Sequence, residues 1–195
     1  MKKSNIAVLG LGRFGWSVAS TLLDLGHEVI GVDQDPVLIQ DYSPFLTHTV
    51  QADVAHIESL REIGIQNCDA VIVAIGSNVE ASIVTTMLVK ELGVPFIIAK
   101  ANNDLHGKVL EKIGVDEVVF PEKDMGVRIG YHLASPSIVE YLSISANACM
   151  VEVEIPSAFV GKQLIKYAFE ISIRSLSRRC VVVPRCWFLL HQKKH

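Results

Sequence analysis

The run Asn5-Ile6-Ala7-Val8-Leu9-Gly10-Leu11-Gly12-Arg13-Phe14-Gly15 decides how this chain is read. Ile6 to Leu9 is a short apolar stretch ended by Gly10, so it reads as a buried strand. Gly10 to Gly15 then spells GxGxxG, and Val18 to Leu25 follows a helical period until Gly26 stops it. In such a strand–turn–helix the glycines have separate duties. Gly10 allows the tight turn, Gly12 lets a phosphate approach the backbone, and Gly15 lets the helix lie close to the strand. The free N–H groups and partial positive charge of the helix N-terminus favour an anion there. Val29-Ile30-Gly31-Val32 is a second strand, ending at Asp33. A carboxylate in that place accepts hydrogen bonds from ribose hydroxyls and opposes a 2′-phosphate. GxGxxG alone is a weak signal; in this setting, with the acid after the next strand, it predicts a nucleotide site.

Working outward, the pattern repeats. His48-Thr49-Val50, Ala70 to Ala74, Phe96 to Ala99 and Val118 to Phe120 read as four more strands. Helical segments lie between them: one opening at Pro36, then Ile57–Ile63, Val79–Leu92 and Leu105–Ile113. The strands are Val/Ile-rich runs rather than apolar–polar alternations, as expected of a parallel sheet covered on both faces. The reading is a doubly wound α/β domain of Rossmann type with a parallel six-stranded sheet. Met125–Leu133 and Ile138–Leu142 read as helical, separated by Pro136, and residues 149–155 alternate like a strand. Cys180 to Pro184 reads at best as an isolated apolar strand.

In a doubly wound sheet, ligands sit at the C-terminal ends of the strands. The residues placed there complete the candidate set. Arg13 puts a fixed cation inside the phosphate loop, suited to a further or terminal phosphate, or is simply a solvated arginine. Phe14 and Gln34 adjoin the loop and Asp33. Asp53, beside Val54, accepts from an adenine amino group or caps the helix that begins at Ile57. Ala74-Ile75-Gly76 lets a nucleotide pass over the fourth strand, or is only a turn. Lys100 and Glu122 reach the same edge after the fifth and sixth strands; each alone reads as readily as a solvated charge. Trp16 is given no role, and Met87 and Met125 read as core filler.

Composition excludes much else. The chain has 195 residues, half of them hydrophobic and 20% charged, too apolar for a disordered protein. No apolar run approaches the ~18–20 residues of a membrane span, and no cleavable signal is apparent. Cys68, Cys149, Cys180 and Cys186 form no CxxC pair, and the seven histidines show no HxxxH or HExxH spacing. A zinc site or disulfide framework is not expected, and the expected address is cytoplasmic. The net charge of -3 hides an asymmetry: residues 1–170 carry 12 basic and 21 acidic groups, residues 171–195 six basic and none acidic. That basic stretch has no amphipathic period, so neither nucleic acid nor a membrane surface is expected to bind it. No acid–base–nucleophile set is apparent, and few residues remain for a substrate domain. The expectation is therefore not an enzyme, with an NAD-dependent oxidoreductase or redox-sensing dinucleotide-binding protein as the alternative.

The GLGRFG string, Gly26-His27-Glu28-Val29, Asp33, Val73 to Gly76, Lys90-Glu91-Leu92, Lys108 to Asp116 (KVLEKIGVD) and Pro121 to Gly126 (PEKDMG) resemble the RCK (regulator of K⁺ conductance) family, also called TrkA-N or KtrA type. The resemblance covers residues 4–134 and extends to about Gln163. It implies a cytosolic regulatory subunit of a bacterial K⁺ uptake system that binds ATP, ADP or NAD(H) at Gly10–Gly15. Arg13 would sit on phosphate and Asp33 on ribose. Glu122 would lie near the terminal phosphates and a bound cation (Mg²⁺, Ca²⁺ or Na⁺), at an interface between subunits. It further implies dimers, an octameric ring, and a membrane K⁺-translocating partner of the TrkH/KtrB type, gated when the ring changes shape.

By the same resemblance, residues 1–122 form the nucleotide-binding domain and 123–146 a crossover helix and linker. Residues 147–170 begin an RCK-C type domain through Val151 to Pro156 and Phe159 to Lys162. Family pattern then expects ~50 more residues. Residues 171–195 depart from it instead, and the expectation is that the stretch after about Gln163 is read out of frame or comes from a degenerate gene copy. Binding of cyclic di-AMP by that domain is accordingly not expected.

Overall fold

The computed structural model describes residues 3–134, 138–145, 148–153 and 179–184, with side chains for the first of these segments. The chain divides into two compact units, Met1–Glu122 and Lys123–His195.

The first unit alternates strands and helices: β1 Asn5–Leu9, α1 Arg13–Asp24, β2 Glu28–Asp33, α2 Pro36–Tyr42, β3 His48–Gln51, α3 Ile57–Ile63, β4 Ala70–Val73, α4 Val79–Glu91, β5 Ile97–Lys100, α5 Asp104–Ile113 and β6 Glu117–Val119. A 3-10 turn, Ile65–Asn67, precedes β4. All six strands are parallel, in the order β3-β2-β1-β4-β5-β6. The Rossmann-type expectation is met.

The period of two along β1 shows why a continuous apolar run is needed here. Ile6 and Val8 face one side, with Leu11, Ala19, Val29 and Leu46 under α1 and α2. Ala7 and Leu9 face the other, with Leu60, Val89, Ile97 and Leu110 under α3, α4 and α5. Both faces are buried, so polar alternation is excluded. Caps and glycines set the helix limits. Asp35, Asn78 and Asn103 each accept a backbone N–H of the helix that follows. Gly64 and Gly114 end α3 and α5 in the left-handed region, at φ 85° and 90°. Against the core under α1 and α2, half-buried Trp16 stacks on Tyr42 at 4.0 Å and 7° and touches Phe45.

Strand order reverses between β1 and β4. The chain leaves β1 toward β2 and later returns to β4 on the other side, which opens a crevice at the C-terminal ends of these two strands.

Helix α6, Pro121–Ala134, carries the chain out of the first unit. The second unit contains β7 Ile138–Ser145, β8 Ala148–Val153 and β9 Arg179–Pro184, in the order β7-β8-β9. Two expectations are corrected here. Ile138–Leu142 is strand, not helix: its Ile, Val and Tyr content suits a strand, and it pairs antiparallel with β8, Tyr141 opposite Val151. Cys180–Pro184 is not isolated; it lies parallel to β8, Cys149 opposite Cys180. Residues 154–178 and 185–195 lie outside the described residues, and with them Phe159 to Lys162 and the departure from family pattern expected after about Gln163.

Candidate functional site

The turn after β1 is built by glycine chemistry that the structure makes specific. Gly10 sits at φ 98°, where an added Cβ would lie 3.1 Å from the Ala74 carbonyl carbon. A Cβ on Gly15 would lie 1.9 Å from the Gly10 carbonyl oxygen, so α1 approaches the turn too closely for any side chain. Gly12 differs: it is the N-cap of α1, in extended conformation, with nothing within 4 Å of the position of a Cβ. The space in front of it is open. No side chain caps α1, and its first turn holds no acidic residue. The N–H groups of that turn are thus left for an anion.

Asp33 closes the loop from the side. One carboxylate oxygen accepts the Leu11 N–H at 2.6 Å, and the other accepts the Asp35 N–H at 2.9 Å. It therefore fixes the glycine loop against the end of β2 and keeps a lone pair on each oxygen for an outside donor. Gln34 is exposed, and its carbonyl accepts from Gln51 Nε2.

Across the crevice, Ala74 is buried and donates its N–H to the Leu9 carbonyl at 2.7 Å. Ile75 packs on the α3–α5 core. Gly76 lies under Lys100: a Cβ there would be 3.1 Å from Lys100 Nζ. Lys100 and Glu122 are not two solvated charges. Lys100 is only 9% exposed, and its Nζ donates to Glu122 Oε1 at 2.6 Å. The ammonium also stands 5.9 Å from the centroid of the Phe14 ring. The bond to Lys100 and, more weakly, the charge of Arg13 hold the Glu122 carboxyl below the usual carboxylate range. Gly12, Arg13, Phe14, Gly76, Lys100 and Glu122 thus gather at one edge.

Asp53 is placed differently. The N-cap of α3 is His56, so the alternative reading of Asp53 as that cap is corrected. Asp53 instead accepts the Ala55 N–H at 2.9 Å and lies 3.6 Å from His56 Nε2. Val54 is buried, and its carbonyl accepts from Thr85 Oγ1. Two residues not singled out in the sequence support the edge. Asn102 Nδ2 donates to the Gly76 carbonyl at 2.6 Å, and the buried His106 accepts the Asn102 N–H through Nδ1. The Asn102-Asn103-Asp104 run directly after β5 was the signal available.

Met87 and Met125 are not core filler. They are 54% and 48% exposed, on the outer faces of α4 and α6. Met87 lines a surface groove of about 610 Å³ with Leu88 and Val109, at the ends of α4 and α5 remote from the strand-end edge. Among the described residues, no helix is long and apolar enough to cross a membrane.

The TrkA-N domain family model matches residues 6–121. The chain is 39% identical over 197 aligned residues to the Ktr system potassium uptake protein C of Bacillus subtilis, covering 98% of this chain and 89% of that protein. It is 42% identical over 165 residues to the Ktr system potassium uptake protein A of the same organism, covering 85% and 74%. Among solved structures, that of GsuK bound to ADP superposes with a TM-score of 0.57 at 25% identity, over 68% of this chain and 34% of that one. With the model spanning more than half its length and relatives at this identity over most of it, the chain belongs to the TrkA-N family, alongside the Ktr potassium uptake proteins.

Proposed function

We propose that this protein is a cytosolic regulatory subunit of a bacterial K⁺ uptake system. It binds an adenine nucleotide at Gly10–Gly15 and gates a membrane K⁺-translocating subunit through a nucleotide-dependent change of shape. The observation that carries this reading is the open space at Gly12. The uncapped N-terminus of α1 faces it, with Arg13 and Lys100 at the same edge, in a chain 39% identical to a Ktr potassium uptake protein along almost its whole length. A phosphate fits that space and those charges.

Asp33 takes the ribose hydroxyls with its remaining lone pairs. Arg13 and Lys100 serve the phosphates, and ATP or ADP suits two cations better than NAD(H), which has no terminal phosphate. Among the described residues no cluster of three or more His, Cys, Asp or Glu could hold a metal ion. Glu122 would then supply one ligand to a Mg²⁺, Ca²⁺ or Na⁺ whose other oxygens come from the phosphates. Dimers, assembled as an octameric ring, would carry the change of shape to the membrane partner, driven by the differential affinity of the nucleotide for the two ring shapes.

Thermal melting tests the reading. At a free concentration 100 times Kd, a nucleotide stabilises the folded chain by about 2.7 kcal/mol, which raises Tm by several degrees. ATP and ADP are expected to give such shifts, and Asp33→Ala to abolish them. If ATP, ADP and NADH all left Tm unchanged, the site assignment would fail. Turnover of NADH with a small substrate would overturn the regulatory role in favour of an oxidoreductase.

A further inference from the structure

The edge that suits an anion already holds one. Lys100 is almost fully buried, yet its ammonium is spent on Glu122, whose side chain is 70% exposed. The Arg13 charge also bears on that carboxylate. A carboxylate bonded to a buried ammonium that itself stands 5.9 Å from the ring of Phe14, in the first turn of the uncapped helix α1, occupies the kind of place a phosphate would take.

The strand order gives the distance. Lys100 ends β5, the second strand over from β1, but its side chain reaches back until Nζ stands over Gly76, at the end of β4. That is one strand spacing from the end of β1, about 5 Å. A phosphate seated on the Gly12 loop does not span this gap. A chain of phosphates crossing the side-chain-free Gly76 does.

We propose that Glu122 is an internal competitor for phosphate: it holds Lys100 until the terminal phosphate of a nucleoside di- or triphosphate takes the ammonium over. Lys100 is then the residue that ranks ligands by phosphate number. The exchange also frees Glu122, which stands in the first turn of α6, the helix leaving the nucleotide-binding unit. The inference rests on the nucleotide-sensor reading and goes beyond it by naming the selecting residue and what opposes it.

Calorimetric titration of the full chain in EDTA, with AMP, ADP, ATP and NADH, tests it without any metal at Glu122. Glu122→Gln is an exposed change that keeps the side chain's shape. It is expected to tighten ATP about three- to tenfold and leave AMP and NADH unchanged. Lys100→Met keeps the buried stem and is expected to weaken ATP about tenfold or more, bringing it near AMP. In the double variant, Glu122→Gln is expected to have no further effect, since nothing remains to be released. Simple repulsion between Glu122 and ATP would survive loss of Lys100, so a gain persisting in the Lys100→Met background overturns the proposal. So does a Glu122→Gln variant that binds ATP unchanged or more weakly, or one that tightens NADH as much as ATP. Each of those leaves nucleotide binding by the wild-type chain intact. A wild-type chain that binds none of the four ligands overturns the sensor reading and this inference together.

Discussion

The three loop glycines share a motif but answer to different physics. Gly15 is required by packing, since its Cβ would lie 1.9 Å from a carbonyl oxygen of the turn. Gly12 has open space and an extended conformation that alanine adopts without strain. Gly15→Ala should therefore cost about 3 kcal/mol in urea denaturation, as α1 is pushed off the turn. Gly12→Ala should cost under about 1 kcal/mol in urea, the difference between glycine and alanine at an N-cap, while removing the ATP-induced rise in Tm, because the methyl fills the phosphate space. Equal stability losses in both variants would show that Gly12 only shapes the turn. The motif and Asp33 were legible in the sequence because strand, turn and helix are contiguous. The Lys100–Glu122 pair was not. Each residue reads alone as a surface charge, and only the adjacency of β5 and β6 brings the two side chains together. Asp53 misled for the opposite reason: an acid shortly before a helix suggests a cap, whereas local turn geometry gives that position to His56.

The strand ends are held by elements that the loop alone does not reveal. At the start of α5, Asn103 accepts the His106 N–H at 2.9 Å, and His106 Nδ1 accepts the Asn102 N–H. Asn102 in turn holds the Gly76 carbonyl. His106 is 2% exposed, and among the described residues Nε2 has no hydrogen-bond partner. Since Nδ1 accepts, the neutral ring carries its proton on Nε2. Burial holds the imidazole below its ordinary value of 6.5. The unfolded chain thus takes up a proton at His106 before the folded chain does. Its contribution is complete above pH 6.5 and is lost as pH falls from there through the folded value. Urea midpoints measured from pH 7.5 downward should fall more steeply for the wild-type chain than for His106→Gln. Parallel curves would mean that His106 does not titrate with folding. Element identity was legible where a run met a clear boundary, as with the strands closed by Gly10 and Asp33 or the helices closed by Gly64 and Gly114. It failed at Ile138–Leu142, five residues too short for helical and strand periods to be told apart, where pairing with β8 decides.

At the scale of the molecule, every residue of both apolar cores lies between Ile6 and Phe120. The six strands and each contact described at the candidate site lie between Asn5 and Glu122. A unit of this size buries enough surface to fold alone. The fragment 1–134, which keeps the whole of α6, is therefore expected to unfold in one cooperative transition, with a Tm within about 5 °C of the full chain's corresponding transition. It should rank AMP, ADP and ATP as the full chain does, because Gly12, Arg13, Asp33, Lys100 and Glu122 are all retained. Circular dichroism melts with and without each nucleotide measure both properties. A fragment that folds but loses the ranking would place part of the phosphate selectivity beyond residue 134. A fragment with no cooperative transition would show that the sheet depends on the rest of the chain, despite containing both of its own cores.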